Sequence, residues 1–86
     1  MKNDIFEERE PVAEYLTAAL RDSDPDVFLA AVRDVARARG MAQVAKAAGL
    51  SRHSLYRALR ANGNPSFATI LRVLNALGIS LHASAA

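Results

Sequence analysis

Arg52, His53, Tyr56, Arg57 and Arg60 fall within nine residues of one another, in the stretch AGLSRHSLYRALR that runs from 48 to 60 and contains no acidic residue. Leu55 and Leu59 lie one helical turn apart in the same stretch. With those leucines against a core, the three arginines, His53 and Tyr56 must face outward. The result is a cationic stripe with one aromatic. A guanidinium bonds bidentately to guanine O6 and N7, and the major groove of B-DNA admits an α-helix, so the chemistry this stripe offers is recognition of duplex DNA. Arg52 and His53, at the N-terminal end, and Arg57, one turn on, are the candidates for reading base edges. Lys46, Ser51, Tyr56, Arg60, Asn62 and Asn64 are the candidates for contacts with the DNA backbone. Plainer roles compete for the second group. Ser51 can cap its own helix, Tyr56 can cover the domain surface rather than pack on sugar or a thymine methyl, and the others can be solvent-facing polarity. Catalysis fits poorly, because His53, Ser54 and Tyr56 share one short exposed helix with no carboxylate to orient the histidine; the chain is read as a non-enzyme.

The elements that must hold the stripe in place are helices. Met41 to Ala48 (MAQVAKAA) reads as a short helix, Gly49 breaks it, and Ser51 caps a second one running to about Arg60. Two helices joined by a tight turn containing Gly form a helix-turn-helix unit, here residues 41–60. Its sterics suit the sequence. Ala45, four before Gly49, leaves room for the second helix to cross closely; Val44, Ala48, Leu50, Leu55 and Ala58 take inward positions, and Gly49 stands where positive φ is needed. Upstream, Pro11 suits a first helical position, with Val12, Tyr15, Leu16, Ala19 and Leu20 as one stripe. Asp24 is a predicted N-cap with Pro25 in the first turn and Asp26 on the positive dipole end. The helix it starts runs to Arg39, buries Phe28, Ala31, Val32, Val35 and Ala36, and closes at Gly40. Downstream, ANGNPS is a turn with exposed amides able to grip phosphate. Ser66 caps a last helix with a stripe of Phe67, Ile70, Leu71, Leu74 and Leu77, closed by Gly78. Ile79 to Ala83 alternates as a short strand would; Ile79 and Leu81 either finish the core or pair two subunits. The predicted fold is all-α, a compact bundle of about five helices, with residues 1–10 as a flexible arm and 11–86 as a single domain.

Charge divides this chain of 86 residues more sharply than its net of +2 suggests. Residues 1–34 carry four basic residues against all nine acids, a net of −5, whereas residues 35–86 carry seven basic residues and no acid. A polyanion is the expected partner of the basic part. The acidic part is either solvated surface or a face for a basic protein. No cysteine is present and the two histidines stand 29 positions apart, so neither a disulfide, a metal centre nor another cofactor is expected. The N-terminus MKNDIFEERE lacks the apolar centre of a signal peptide, and no apolar run approaches the roughly 20 residues that span a bilayer, so a cytoplasmic location away from membranes is expected. A core this small leaves modest stability, which makes a homodimer attractive.

The run MAQVAKAAGLSRHSLYRAL followed by GNPSFATILRVLNALGISL resembles the lambda-repressor-like, Xre-type helix-turn-helix domain. More narrowly, the chain from EYLTAAL through DPDVFLAAVRDVARARG to its end, about residues 13–83, resembles the HigA-like addiction module antidote proteins, antitoxins of type II toxin–antitoxin pairs. The stretches SRHSLY and GNPSFATILRVLNALG are the specific part. In one respect it departs from the pattern: many Xre domains place Gln eight residues before the turn glycine, and here that position is Met41, with Gln43 two residues on. The resemblance implies neutralisation of a RelE/ParE-like (HigB-type) toxin, a small basic RNase encoded nearby, together with repression of the shared operon through sequence-specific binding of a double-stranded operator. For the toxin contact, charge complementarity nominates Glu7, Glu8, Glu10, Glu14, Asp22, Asp24 and Asp26. Two alternatives stand beside this reading: a stand-alone repressor with the same DNA chemistry, and a helical module whose basic face meets an acidic protein. No small-molecule substrate is expected.

Overall fold

A computed structural model describes residues 9–85 of the chain and places five helices in order: α1 (Arg9–Leu20), α2 (Pro25–Arg39), α3 (Met41–Ala48), α4 (Arg52–Leu59) and α5 (Phe67–Ala76). The described residues include no strand. The starts of α2, α4 and α5 are each made by a hydroxyl or carboxylate cap, whereas α3 follows Gly40 with no side-chain cap. Asp24 accepts from the Asp26 N–H at 2.9 Å, Ser51 from the Ser54 N–H at 3.0 Å and Ser66 from the Thr69 N–H at 3.1 Å. Each cap satisfies a backbone donor that the first turn of a helix leaves without a partner. Pro25 follows Asp24 at the start of α2, where its missing N–H costs nothing, and Asp26 stands at the positive dipole end.

At the centre of the bundle lie Val12 and Leu16 of α1, Phe28, Val32, Val35 and Ala36 of α2, Met41, Val44 and Ala45 of α3, Leu55 and Leu59 of α4, and Ile70, Val73 and Leu74 of α5, with Leu77 and Ile79 closing one end. Each fully buried Leu or Val contributes about 1.5–3 kcal/mol relative to exposure. The radius of gyration is 12.4 Å, against about 12 Å expected for a compact chain of this length. α2 packs against α1, α3 and α4, and α3 against α4 and α5. Among the described residues no helix is long and apolar enough to cross a membrane.

The buried faces differ from the expected stripes at both ends of the chain. α1 buries only Val12 and Leu16, whereas Tyr15 is 36% exposed and Leu20 49%. α1 lies chiefly on α2, and a seam against a single helix is narrower than the five-residue stripe. Arg9 and Glu10, assigned to the arm, are helical, which makes Pro11 the third residue of α1 rather than the first; residues 1–8 of the arm lie outside the described residues. In α5 the core face is Ile70, Val73 and Leu74, continued by Leu77, while Phe67 and Leu71 point to solvent and Val73 takes a place the stripe omitted.

Ile79 to Ala83 is not a strand. Gly78 and Ile79 instead end α5 with the paired bonds of a Schellman cap, Gly78 N–H to Asn75 O and Ile79 N–H to Leu74 O, which carries Ile79 into the core. The apparent alternation reflects that one buried residue, and the described residues offer no neighbouring strand to pair with.

Candidate nucleic-acid interface

α3 and α4 are joined by residues 49–51, and the turn is made by Gly49 at φ +73°, ψ +31°. Gly49 donates to Lys46 O and Leu50 N–H donates to Ala45 O at 2.9 Å, so two terminal carbonyls of α3 are satisfied within the turn itself. A Cβ at Gly49 meets nothing within 4 Å. The requirement for glycine is therefore conformational, the left-handed backbone, and not a matter of space. Ala45 is buried beneath this crossing, with Val44 and Ala48, while Leu50 and Ala58 are half-buried.

α4 presents two unlike faces. Leu55 and Leu59 are completely buried, and Arg52, His53, Tyr56 and Arg57 are exposed, with Arg60 exposed at the C-cap. Among the described residues no carboxylate pairs with Arg52, Arg57, Arg60 or Lys46. The Arg52 guanidinium stands 5.8 Å from the centroid of the Tyr56 ring, a cation–π contact across one helical turn that limits how far Arg52 swings. Ser51 fills its capping role: its oxygen accepts the Ser54 N–H and its proton goes to Ser54 Oγ at 2.9 Å.

The turn after α4 brings further candidates into reach. Arg57, Arg60 and Asn64 line one cleft of about 430 Å³ with Ser54 and Thr69, while Arg52, His53, Tyr56, Lys46 and Asn62 lie outside it. Positive φ in this turn falls on Asn62, at +61°, not on Gly63. Gly63 is needed for a different reason, since a Cβ there would lie 2.9 Å from Arg60 O and 3.0 Å from Ala58 O. The Gly63 N–H donates to Arg60 O at 2.9 Å, so this amide closes the end of α4 and is not one of those offered to phosphate.

Two arginines that sequence reasoning left out hold the site from behind. Arg33 of α2 donates from Nη1 to Leu59 O at 2.6 Å, and Arg39 donates from Nη1 to Leu77 O at 3.2 Å, so α2 supplies a cation to the C-terminal carbonyls of α4 and to the residue that closes α5. Both contacts join residues far apart in the chain, so no local spacing signals them.

The acidic candidates divide. Glu10 and Glu14 are exposed on α1, Asp22 accepts the Asp24 N–H at 2.9 Å in the α1–α2 turn, and Asp24 and Asp26 begin α2. Glu7 and Glu8 lie outside the described residues. Asp34, absent from that group, accepts a hydrogen bond from the Tyr15 hydroxyl at 3.1 Å.

Comparison with known proteins adds the following. The family model described as probable addiction module antidote protein matches residues 2–85. An uncharacterized protein of Haemophilus influenzae is 44% identical over 70 residues, spanning 81% of this chain and 72% of that protein. No solved structure matches.

Proposed function

The chain belongs to the family of probable addiction module antidote proteins, and from that premise we propose that it is the antitoxin of a type II pair, which represses its own operon through α4 and neutralises a RelE/ParE-like toxin of the HigB type. One observation carries the DNA-binding half: a two-turn helix fixed on the core by Leu55 and Leu59 presents Arg52 and Arg57, with His53 beside them, to solvent, and no carboxylate among the described residues neutralises the two guanidinium groups. Cations left unpaired on a rigid helix cost nothing to withdraw from an internal partner, and their natural counterion is a polyanion.

In this reading residues 41–60 form the helix-turn-helix unit of a single domain that includes α1 from Arg9 onward. α4 enters the major groove, where Arg52, His53 and Arg57 meet base edges. Arg60 and Asn64, which share the cleft with Arg57, contact the DNA backbone, joined by Lys46, Tyr56 and Asn62. Ser51 serves by fixing the start of α4. A symmetric homodimer places one α4 in each of two successive major grooves. The reaction is one of binding alone, without catalysis or cofactor, in the cytoplasm where operon and toxin are found.

Footprinting on the chain's own promoter tests this. Protection of two half-sites about 10 bp apart is expected. A chain that binds and neutralises the toxin encoded beside it but leaves the promoter unprotected would be an antitoxin without the proposed repressor role.

A further inference from the structure

Leu20 at the end of α1, Phe67 at the start of α5 and Leu81 in the C-terminal segment, all exposed, are gathered on the walls of one groove whose floor is Phe28, Leu29 and Ile70. Phe67 is 68% exposed, an unusual position for a phenylalanine beginning a helix with an otherwise well-buried face. The groove measures about 540 Å³ and falls within the roughly 300–1,000 Å³ of concavities that seat apolar groups of a ligand. Asp22 and Asp26 border it, and among the described residues no Lys or Arg lines it.

We propose that this groove seats the toxin, through a segment whose apolar side chains enter between Phe67 and Leu20 and whose flanking Lys or Arg residues meet Asp22 and Asp26. The assignment rests on the antitoxin reading above and narrows it, since neither Glu10, Glu14 nor Asp24 lines the groove. Charge selects the occupant. A second copy docked here about a two-fold axis would bring two acidic borders into one interface with no lining Lys or Arg to offset them, because such an interface pairs a patch with itself. A basic amphipathic segment satisfies both border and floor, with apolar anchors at the centre and charge at the rim. The groove and the cleft beside α4 meet at Asn64 and Pro65, so toxin and DNA occupy adjoining surfaces on the two sides of the α4–α5 turn.

The test uses the full chain and the purified protein encoded beside it in the operon, titrated calorimetrically. Leu20→Ser and Phe67→Ser alter exposed side chains, so folding is retained, and thermal unfolding checks this. The double variant is expected to bind the toxin at least tenfold more weakly while protecting promoter DNA as before, and Asp22→Lys with Asp26→Lys to weaken toxin binding at least tenfold as well. Undiminished toxin binding by the Leu20→Ser, Phe67→Ser variant overturns the assignment and leaves the antitoxin reading standing. A shift from dimer to monomer in that variant, with toxin affinity unchanged, shows the groove to be a contact between copies and overturns it too. Failure of the unaltered chain to bind the neighbouring protein overturns the antitoxin reading itself.

Discussion

The Arg33 guanidinium of α2 reaches the carbonyl oxygen of Leu59 at 2.6 Å and so grips the last residue of α4 from 26 positions earlier in the chain. α4 has eight residues, too few to persist in water alone, and its rigidity is borrowed from what it touches. Leu55 and Leu59 hold it from beneath, Ser51 caps its start, and Arg33 satisfies its end. Arg33→Ala leaves that carbonyl without its charged donor and is expected to destabilise the fold by about 1–3 kcal/mol in urea unfolding, with faster amide exchange at the end of α4. A loss below about 0.5 kcal/mol would place the contact among ordinary surface interactions.

Base reading and phosphate contact are separable at Arg57. Arg57→Ala is expected to cost about 1–3 kcal/mol of affinity for the chain's own promoter and to relax preference at one base position. Equal losses on promoter and scrambled duplex, measured by competitive gel shift, would assign Arg57 to the phosphates alone.

The two small residues of the α3–α4 crossing are required for different reasons, and substitution tells them apart. Gly49→Ala adds a methyl into open space, so only the left-handed backbone resists it, at about 1–2 kcal/mol, and Gly49→Asn is expected to cost less. Ala45→Leu forces volume into a buried contact and is expected to cost about 1–3 kcal/mol or more. Thermal unfolding that ranked Asn above Ala in cost at position 49 would contradict the conformational explanation.

Tyr15 supplies a pH signature. Desolvation, then the hydrogen bond from its hydroxyl to Asp34 and the charge of that carboxylate, raise its pKa above the ordinary 10.0. The folded state thus favours the protonated phenol. Its contribution to stability is complete below about pH 10 and is lost as the pH rises through the raised value. In a Tyr56→Phe background, absorbance titration of Tyr15 is expected to give a higher midpoint in the folded chain than in urea. Asp34→Ala should lower that midpoint only in part, because desolvation remains. Coincident midpoints in folded and unfolded chains would remove Asp34 and burial as causes.

Much of this arrangement was legible because it is local. The α2 core face, the caps at Asp24, Ser51 and Ser66, and the inward leucines of α4 each follow from spacing and residue type within one or two turns. For α5 the expected stripe holds at Ile70, Leu74 and Leu77 and fails at Phe67, Leu71 and Val73, because the helix is apolar on more than one side. Phe67, Ile70, Leu71, Val73 and Leu74 allow several stripes of helical period, and only the position of α3 against α5 decides that Val73 enters and Phe67 stays out. The same limit hid Arg33 and Arg39, whose acceptors lie 26 and 38 positions away, and Asp34, whose partner Tyr15 looked apolar by position. The groove beside Phe67 was invisible for the same reason: α1, the α4–α5 turn and the C-terminal segment meet there only in the folded chain.

The central claim is that the unpaired cations of α4 meet the phosphates and base edges of a duplex, and its most direct test is the salt dependence of binding to the chain's own promoter. Two copies neutralising about four to eight phosphates give a slope of log K against log salt of about −4 to −7. Affinity for the promoter should also exceed that for scrambled duplex by roughly a thousandfold or more. A slope near zero, or binding that does not distinguish the promoter from scrambled duplex at any salt, would contradict it.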